Sequence, residues 1–268
     1  MGLIRAAADR LGVYRALRYS PLYDWYARLC RPRQAAVLAN DRRFYGEFFR
    51  RHSVAAAFDI GANVGDKARV FAELAGRVVC AEPDPDLVDV LRYRFRGRPG
   101  VAIEPAAIGD AAGTAVLHRK RFAGFNTLSA KWAGHTAARA VPDRDDVTIP
   151  VTTLDALIAT YGRPDYVKID VEGYELAALT GLSSPVRAVS FECNLPAFQE
   201  ETVQILDRLR RLYPGGRFNV RTADRPQFEL PADVSVDEML RLVAAAGEVT
   251  YDLFAVYPDV PPASGPRP

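Results

Sequence analysis

The sequence predicts an α/β protein built around a mainly parallel β-sheet. From residue 54 onward, short β-branched or apolar runs alternate with stretches of helical periodicity, which is the pattern of repeated βαβ units. The first run ends in a glycine-containing turn, "DIGANVG" at 59–65, where a parallel sheet would hold a ligand. Apolar residues make up 49% of the chain and charged residues 25%, which excludes a disordered protein. We expect one large domain, residues 51–258, with an appendage.

The appendage is the basic segment 1–50, which the sequence predicts to be helical. Apolar residues recur at helical spacing in residues 3–18, and two further helical stretches follow, the last from about residue 34. Residues 1–51 hold eleven arginines against four acidic residues, although the net charge of the chain is only +2. We interpret the segment as a lid, a dimer contact in a homo-oligomer or a membrane contact through residues 1–33. The alternative is that its apolar face packs on the main domain while the arginines are solvated.

The elements of the main domain follow in order. Strands are predicted at "VAAAFDI", "RVVCAEP", "VAIEPAAIG", "PDYVKID" and "VRAVSFECN", with helices between them. The segments "GTAVLHRK" and "VTIPVTTLD" form an additional extended pair, separated by a long loop without periodicity within 119–146, which is typical of a lid or binding loop. A helix, an extended "RFNVRTA", another helix and a strand at "TYDLFAVYP" complete the domain. The proline-rich tail 259–268 is predicted to be disordered.

The cysteines and the hydropathy pattern bear on the compartment. Cys30, Cys80 and Cys193 are too widely spaced for a disulfide framework or a zinc site, which fits a reducing compartment. No stretch approaches the ~18 apolar residues of a membrane span, and the first residues lack the apolar core of a secretion signal. We expect a cytoplasmic protein without a nucleic-acid partner; contact with the inner membrane face is the alternative.

The turn at 59–65 lacks the features of the common nucleotide-binding loops. Asn63 occupies the position where a dinucleotide fingerprint has its second glycine, and no Gly-Lys-Ser/Thr follows as in a Walker loop. The turn, with Gly61 and Gly65, therefore suits a nucleoside without a diphosphate, such as S-adenosylmethionine. Asp59 could oppose the ammonium of that ligand, while free backbone N–H groups after Gly61 could bind its carboxylate.

A second acidic residue supports this ligand. Glu82 ends the second strand, 23 residues after Asp59, where a carboxylate can accept two hydrogen bonds from a ribose diol. The stretch "AAIGD" at 106–110 should lie beside the adenine, with Ala107 and Ile108 as an apolar surface. The donor-binding residues that we predict are Asp59, Gly61, Asn63, Gly65, Glu82, Pro83, Ala107, Ile108, Asn126, Lys168 and Asp170.

Several motifs together resemble a known family. "FDIGANVGDKARVF", "CAEPDP", "AAIGDAAGTAVL", "VTTLDALI" and "DYVKIDVEGYELAALTGL" resemble, in order and spacing, the FkbM family of S-adenosylmethionine-dependent methyltransferases. The resemblance covers about residues 54–195, and "VKIDVEGYE" is its most specific element. It implies a Rossmann-like sheet of seven strands, the last antiparallel, with an N-terminal helical extension outside the match. It also implies O-methylation of a hydroxyl on a sugar or another natural-product intermediate, so the expected partner is a small-molecule or glycan acceptor.

Three acidic residues are candidates for the chemistry. Asp170 ends the fourth strand, Glu172 lies in the turn after it and Glu192 ends the next strand, so their carboxyl groups could converge beside the methyl donor. Methyl transfer to an unactivated hydroxyl needs a base, for which Asp170 is the first choice and Glu172 the second. The alternative for Glu172 is a capping role at the next helix. Lys168, in a central strand, should neutralise a nearby carboxylate or contact a ligand carboxylate.

Other roles at the site are secondary. His135, in the long loop, could act as a base if the loop closes, and Asn126 could hydrogen-bond the donor or the acceptor. The three carboxylates could also hold Mg²⁺, but Asn194 is the one other clear ligand, so no metal is predicted. Two other functions use the same topology: a nicotinamide-dependent reductase, disfavoured by Asn63 and by the lack of a Tyr-x-x-x-Lys pair, and a non-catalytic scaffold that docks through the basic helix.

Overall fold

The computed structural model describes residues 32–121, 123–138, 142–222 and 225–263. The helices are α1 (Pro32–Arg51), α2 (Asp66–Leu74), α3 (Pro85–Arg94), α4 (Ala130–Ala138), α5 (Leu154–Tyr161), α6 (Glu175–Thr180), α7 (Gln199–Leu212) and α8 (Val236–Ala245), with a 3₁₀ turn at Ala123–Phe125. The strands are β1 (Ala56–Ile60), β2 (Arg77–Ala81), β3 (Val101–Glu104), β4 (Ala107–Ile108), β5 (Gly113–Leu117), β6 (Val147–Thr152), β7 (Tyr166–Ile169), β8 (Ala188–Leu195), β9 (Arg217–Arg221) and β10 (Val249–Val256).

A seven-stranded sheet in the order β3-β2-β1-β7-β8-β10-β9 forms the centre of the fold. Its strands from β3 to β8 pair in parallel, whereas β10, the last in the chain, is antiparallel to both of its neighbours. The predicted Rossmann-like sheet is therefore confirmed. The strand order reverses between β1 and β7, and ligands in such sheets bind outside the carboxyl ends of the strands at this switch point.

Helices cover both faces of this sheet. The helices α5 to α8 pack on one face against residues such as Ile60 and Val189, and α1, α2 and α3 pack on the other against Val78 and Tyr166. Every residue of β1 and β7 is buried. Burial on both faces explains why the central strands are nearly continuous apolar runs, which is the pattern that made them predictable.

Helix α1 belongs to this core. Its residues Phe44, Tyr45, Phe48 and Phe49 are all buried, and the Phe48 ring lies 5.4 Å from the ring of Tyr166 in β7. This is the packed arrangement that the sequence left as an alternative for segment 1–50. Residues 1–31, with the other two predicted helices and most of segment 1–33, lie outside the described residues. No helix in the described part of the chain combines the length and the hydropathy of a membrane span.

The segment 119–146, predicted as a loop without secondary structure, is partly ordered. It contains α4, and its two ends pair through an antiparallel bridge between Lys120 and Asp143. The prediction was wrong because α4 has too little apolar periodicity to be recognised. Its order comes from tertiary contact, since Trp132 packs against Phe198 with 5.6 Å between ring centroids.

The first half of the predicted disordered tail makes specific contacts. Asp165 accepts a hydrogen bond from the backbone N–H of Ala263, with 2.5 Å between oxygen and nitrogen. The Arg163 guanidinium donates to the carbonyl oxygen of Pro261 over 2.9 Å. Residues 259–263 are thus held at the amino-terminal end of β7, and residues 264–268 lie outside the described part.

Candidate active site

A cavity of about 360 Å³ lies at the switch point of the sheet. Its volume falls in the range of small-molecule sites, roughly 300–1,000 Å³. The predicted donor-binding residues that line it are Gly61, Asn63, Glu82, Pro83, Ala107, Ile108, Asn126, Lys168 and Asp170, together with Glu172 from the predicted catalytic set. Asp59 and Gly65 do not line it.

Gly61 and Gly65 shape the turn. Both have positive φ angles, 77° and 80°. A Cβ at residue 61 would lie 1.9 Å from the carbonyl oxygen of Asp170, so the turns after β1 and β7 cross with no room for a side chain. A Cβ at residue 65 would lie 2.7 Å from Leu91 in α3. Gly65 therefore allows α2 to pack closely on α3 and does not contact a ligand itself.

The backbone N–H groups of this turn are not free, contrary to the prediction. Those of Gly61 and Ala62 both donate to the Ala81 carbonyl, and that of Gly65 donates to the Ala62 carbonyl. The Asn63 N–H donates to Glu82 and the Val64 N–H to the Asn63 side chain. The N–H groups of the next three residues, 66–68 in the first turn of α2, have no acceptor in the described part of the chain.

Glu82 is buried at the end of β2, as predicted from its spacing. Its Oε2 accepts the Asn63 N–H at 2.8 Å and its Oε1 accepts the Asp84 N–H at 2.9 Å. Each oxygen keeps a second lone pair for a ligand. Burial raises the pKa of this carboxyl to about 7, although the two backbone N–H groups act in the opposite direction. The residue is suited to a ribose diol, and its capacity to accept falls when it is protonated.

Asp59 acts on the cavity through Lys168. Its side chain is fully buried, and Lys168 Nζ lies 3.3 Å from Asp59 Oδ1 and 3.0 Å from Asp170 Oδ2. Burial acts to lower the pKa of Lys168, but the carboxylates of Asp170 and Asp59 outweigh it and hold that pKa above its ordinary value. The ion pair expected for Lys168 is present. The direct contact predicted between Asp59 and the donor's ammonium is not favoured, because Asp59 is no part of the cavity wall.

The three predicted catalytic carboxyl groups converge. One oxygen each of Asp170, Glu172 and Glu192 lies within 4.8 Å of the other two. Burial, followed by the charge of Asp170, raises the pKa of Glu172 to about 10 and also raises that of Glu192. Carboxyl groups this close cannot all ionise at neutral pH, so the cluster carries at least one proton.

The backbone holds Glu172 in an unusual conformation. Its φ is 53°, in the left-handed region that non-glycine residues rarely adopt and that clusters at functional sites. The Thr127 hydroxyl, in the cavity-lining segment 124–128, donates to the Glu172 carbonyl at 2.7 Å. The capping role considered for Glu172 is not observed, since α6 has no side-chain cap. The turn before α6 is instead held by Glu175, whose Oε1 accepts the N–H groups of Val171 and Gly173 at 3.0 and 3.2 Å. The Glu172 carboxyl is thereby left for the cluster.

Asn126 anchors the segment 124–128, which forms part of the cavity wall. Its Nδ2 donates to Asp84 and its Oδ1 accepts the Lys120 N–H, both at 2.8 Å. Both ends of the amide are thus engaged, which makes Asn126 a support for the cavity wall more than a ligand contact. His135 lies in α4, but its side chain is outside the described part of the structure.

Comparisons with known proteins identify the family. A family model described as the methyltransferase FkbM domain matches residues 59–241. The chain is similar to the hexuronic acid methyltransferase AglP of Haloferax volcanii, with 27% identity over 136 residues, which are 50% of this chain and 52% of AglP. The chain thus matches about half the length of this curated relative.

Solved structures include two similar methyltransferases. The plantazolicin methyltransferase BpumL in complex with SAH is 11% identical, with a TM-score of 0.43 and coverage of 95% of this chain and 99% of BpumL. An O-methyltransferase from Bacillus cereus in complex with SAH is 13% identical, with a TM-score of 0.38 and coverage of 80% of each chain. Since the family match extends over more than half of the residues, the chain belongs to the FkbM family of S-adenosylmethionine-dependent methyltransferases.

Proposed function

We propose that the protein transfers a methyl group from S-adenosylmethionine to a hydroxyl oxygen of a sugar-containing small molecule or glycoconjugate. The observation that carries this proposal is the cavity itself. It places a buried acceptor of hydrogen bonds, Glu82, in the same space as the carboxyl groups of Asp170 and Glu172. Glu82 suits the nucleoside of the donor, and the carboxyl groups of Asp170 and Glu172 suit proton transfer from the acceptor hydroxyl.

The residues of the cavity fit the donor. Glu82 would accept hydrogen bonds from the ribose hydroxyls, and Ala107 and Ile108 offer an apolar surface for the adenine. The donor carries two positive groups, an ammonium and a sulfonium, and the carboxylate of Asp170 in the cavity wall complements them. No observation in the cavity favours a nicotinamide dinucleotide, because the turn at Asn63 lacks the glycine that a pyrophosphate needs.

When bound, S-adenosylmethionine supplies an electrophilic methyl group attached to a sulfonium sulfur. In the proposed reaction, the acceptor oxygen forms a bond to the methyl carbon as the bond from carbon to sulfur breaks, and the hydroxyl proton passes to a carboxylate of the protein. Asp170 is the proposed base, because it lines the cavity and its contact with Lys168 fixes its position. Glu172 in its protonated form would orient the acceptor by hydrogen bonding; in its ionised form it is the second choice for the base.

Two observations favour a sugar acceptor. The carboxyl cluster and Asn194, whose Nδ2 donates to Glu192 at 2.8 Å, offer several hydrogen-bonding groups in one place, which suits a polyhydroxylated ligand. The name of the relative AglP, a hexuronic acid methyltransferase, points in the same direction.

The test is transfer of an isotopically labelled methyl group to a panel of neutral hexosides, hexuronosides and phenols. We expect label in at least one glycoside and a rate in Asp170→Asn that is lower by about 10²-fold or more, the usual effect of losing a general base. Glu201→Gln is the matched control, because Glu201 pairs with Lys131 outside the cavity. Label in phenols alone, or an unchanged rate in Asp170→Asn, would contradict the proposal. Activity that EDTA abolishes and Mg²⁺ restores would assign the carboxylates to a metal instead.

A further inference from the structure

Two cations line the cavity among the described residues, and they differ in how they are engaged. Lys168 lies between Asp59 and Asp170. Lys67, in the first turn of α2, contacts one carboxylate, with 2.7 Å between its Nζ and Oδ2 of Asp41 in α1. A lysine ammonium has three donor hydrogens, so Lys67 keeps donors for a ligand in the cavity.

The backbone around Lys67 also favours an anion. The N–H groups of residues 61–65 are all used inside the protein, whereas those of residues 66–68 have no acceptor among the described residues. They belong to the same helical turn as Lys67. The partial positive charge of a helix amino terminus and the Lys67 ammonium therefore act on the same part of the cavity.

The donor has one anionic group, the carboxylate of its amino-acid end. The other charged side chains of the wall are acidic, apart from the Lys168 that is held between two carboxylates. Asp66, next to Lys67 in the same helical turn, is paired with Arg94 at 2.8 Å. Glu82 suits the ribose and Asp170 suits the donor's positive groups. We propose that Lys67 binds the donor carboxylate, together with the N–H groups of residues 66–68, and that Asp41 is the residue that positions Lys67. This inference rests on the assignment of the cavity to S-adenosylmethionine.

Asp41 is itself fixed in place. It is only 4% exposed, and its Oδ1 accepts a hydrogen bond from the wholly buried Arg221 in β9 at 2.7 Å, while its Oδ2 faces Lys67. The Arg221 guanidinium lies 4.4 Å from the ring centroid of Phe44. Asp41 thus links the packing of α1 on the sheet to the position of Lys67 in the cavity wall. The family match begins at residue 59, so this contribution comes from the segment before it.

The experiment compares two ligands that differ only in the carboxylate. Calorimetry would measure binding of S-adenosylhomocysteine and of its decarboxylated analogue, S-adenosyl-3-thiopropylamine, to the full chain. In Lys67→Met, which keeps the apolar stem, we expect the affinity for S-adenosylhomocysteine to fall by about tenfold or more, as for the loss of a charge-assisted hydrogen bond. The affinity for the analogue should change little. Arg69→Met is the matched control, because Arg69 pairs with Glu73 on the same helix and does not line the cavity.

Asp41→Asn tests the positioning role. A smaller loss that is again confined to the ligand with the carboxylate would support it, whatever the change in stability, since a general structural defect would weaken both ligands. Equal losses for the two ligands in Lys67→Met, or no loss for either, would overturn the inference. If the wild-type protein bound neither ligand, the assignment of the cavity to the donor would fail instead, so the two failures are distinguishable.

Discussion

The carboxyl groups at the switch point show how neighbouring side chains set each other's chemistry. Glu172 and Glu192 share a small space with Asp170, and burial together with its charge raises the pKa values of both glutamates. A cluster of this kind stores protons at neutral pH and presents both donors and acceptors to a hydroxylated ligand. Such an arrangement is suited to an acceptor with several hydroxyl groups.

Glu172→Gln should make stability less dependent on pH. The folded pKa of Glu172, about 10, exceeds its ordinary value of 4.5, so between these values the folded protein holds a proton that the unfolded chain releases. The free energy of unfolding therefore falls as the pH rises through this window, and this contribution is lost in the glutamine variant, which resembles the protonated acid. Between about pH 6 and 9, the melting temperature of the wild type should fall more than that of Glu172→Gln. The surface variant Glu201→Gln should follow the wild type; parallel curves for all three proteins would contradict the assignment.

The individual site residues were predictable to different degrees. Glu82 and Asp170 directly follow β2 and β7, and parallel strands present their carboxyl ends at one edge, so their convergence follows from the sequence pattern. Glu192 was also predicted to end its strand, but β8 continues to Leu195, so Glu192 lies three residues before that end. The pair of Lys67 and Asp41 has no such signature. It depends on how α1 packs against α2, and the separation of 26 positions between the two residues corresponds to no recognisable spacing. The sequence did not show that Asp59 lies behind Lys168, outside the cavity wall, because that depends on packing. It also did not show that the N–H groups of residues 61–65 are used within the protein, because that depends on which hydrogen bonds form inside the turn.

The helices α1 and α4 are both held in place by tertiary packing. α1 has an aromatic face that could be recognised from its spacing, but the sequence did not decide between packing on the domain and binding elsewhere. α4 could not be recognised at all, since Trp132 is its one large apolar residue with a described burial, and its partner Phe198 is far away in the chain. A short helix of this composition is marginal without such contacts.

Phe48→Ala should test whether α1 is an integral part of the domain. The Phe48 side chain is 3% exposed and packs on Tyr166 and Phe254 in two strands of the sheet. Removing a buried phenylalanine ring costs about 3–5 kcal/mol of the free energy of unfolding. Val37→Ala, at a position of the same helix that is 37% exposed, should cost about 0.5 kcal/mol or less. Urea unfolding would measure both, and equal effects of the two substitutions would show that α1 does not pack as described.

The position of the site in the molecule follows from the topology of the sheet. The strand order reverses between β1 and β7, and the turns that follow these two strands build the cavity with the end of β2. The alternation of apolar runs and helices predicted the parallel part of this sheet. The antiparallel direction of the last strand followed only from the family resemblance. Its insertion between β8 and β9 has no local signal and was not predicted, because strand neighbours far apart in the chain are chosen by packing.

The most direct test of the donor assignment is calorimetric titration of the protein with S-adenosylhomocysteine, NAD and NADP, in the wild type and in Glu82→Ala. We predict that S-adenosylhomocysteine binds to the wild type, and that Glu82→Ala weakens this binding by about tenfold or more because two hydrogen bonds to a charged acceptor are lost. NAD and NADP should not bind measurably. Binding of a nicotinamide dinucleotide without binding of S-adenosylhomocysteine would contradict the assignment of S-adenosylmethionine as the donor and favour a reductase on the same fold.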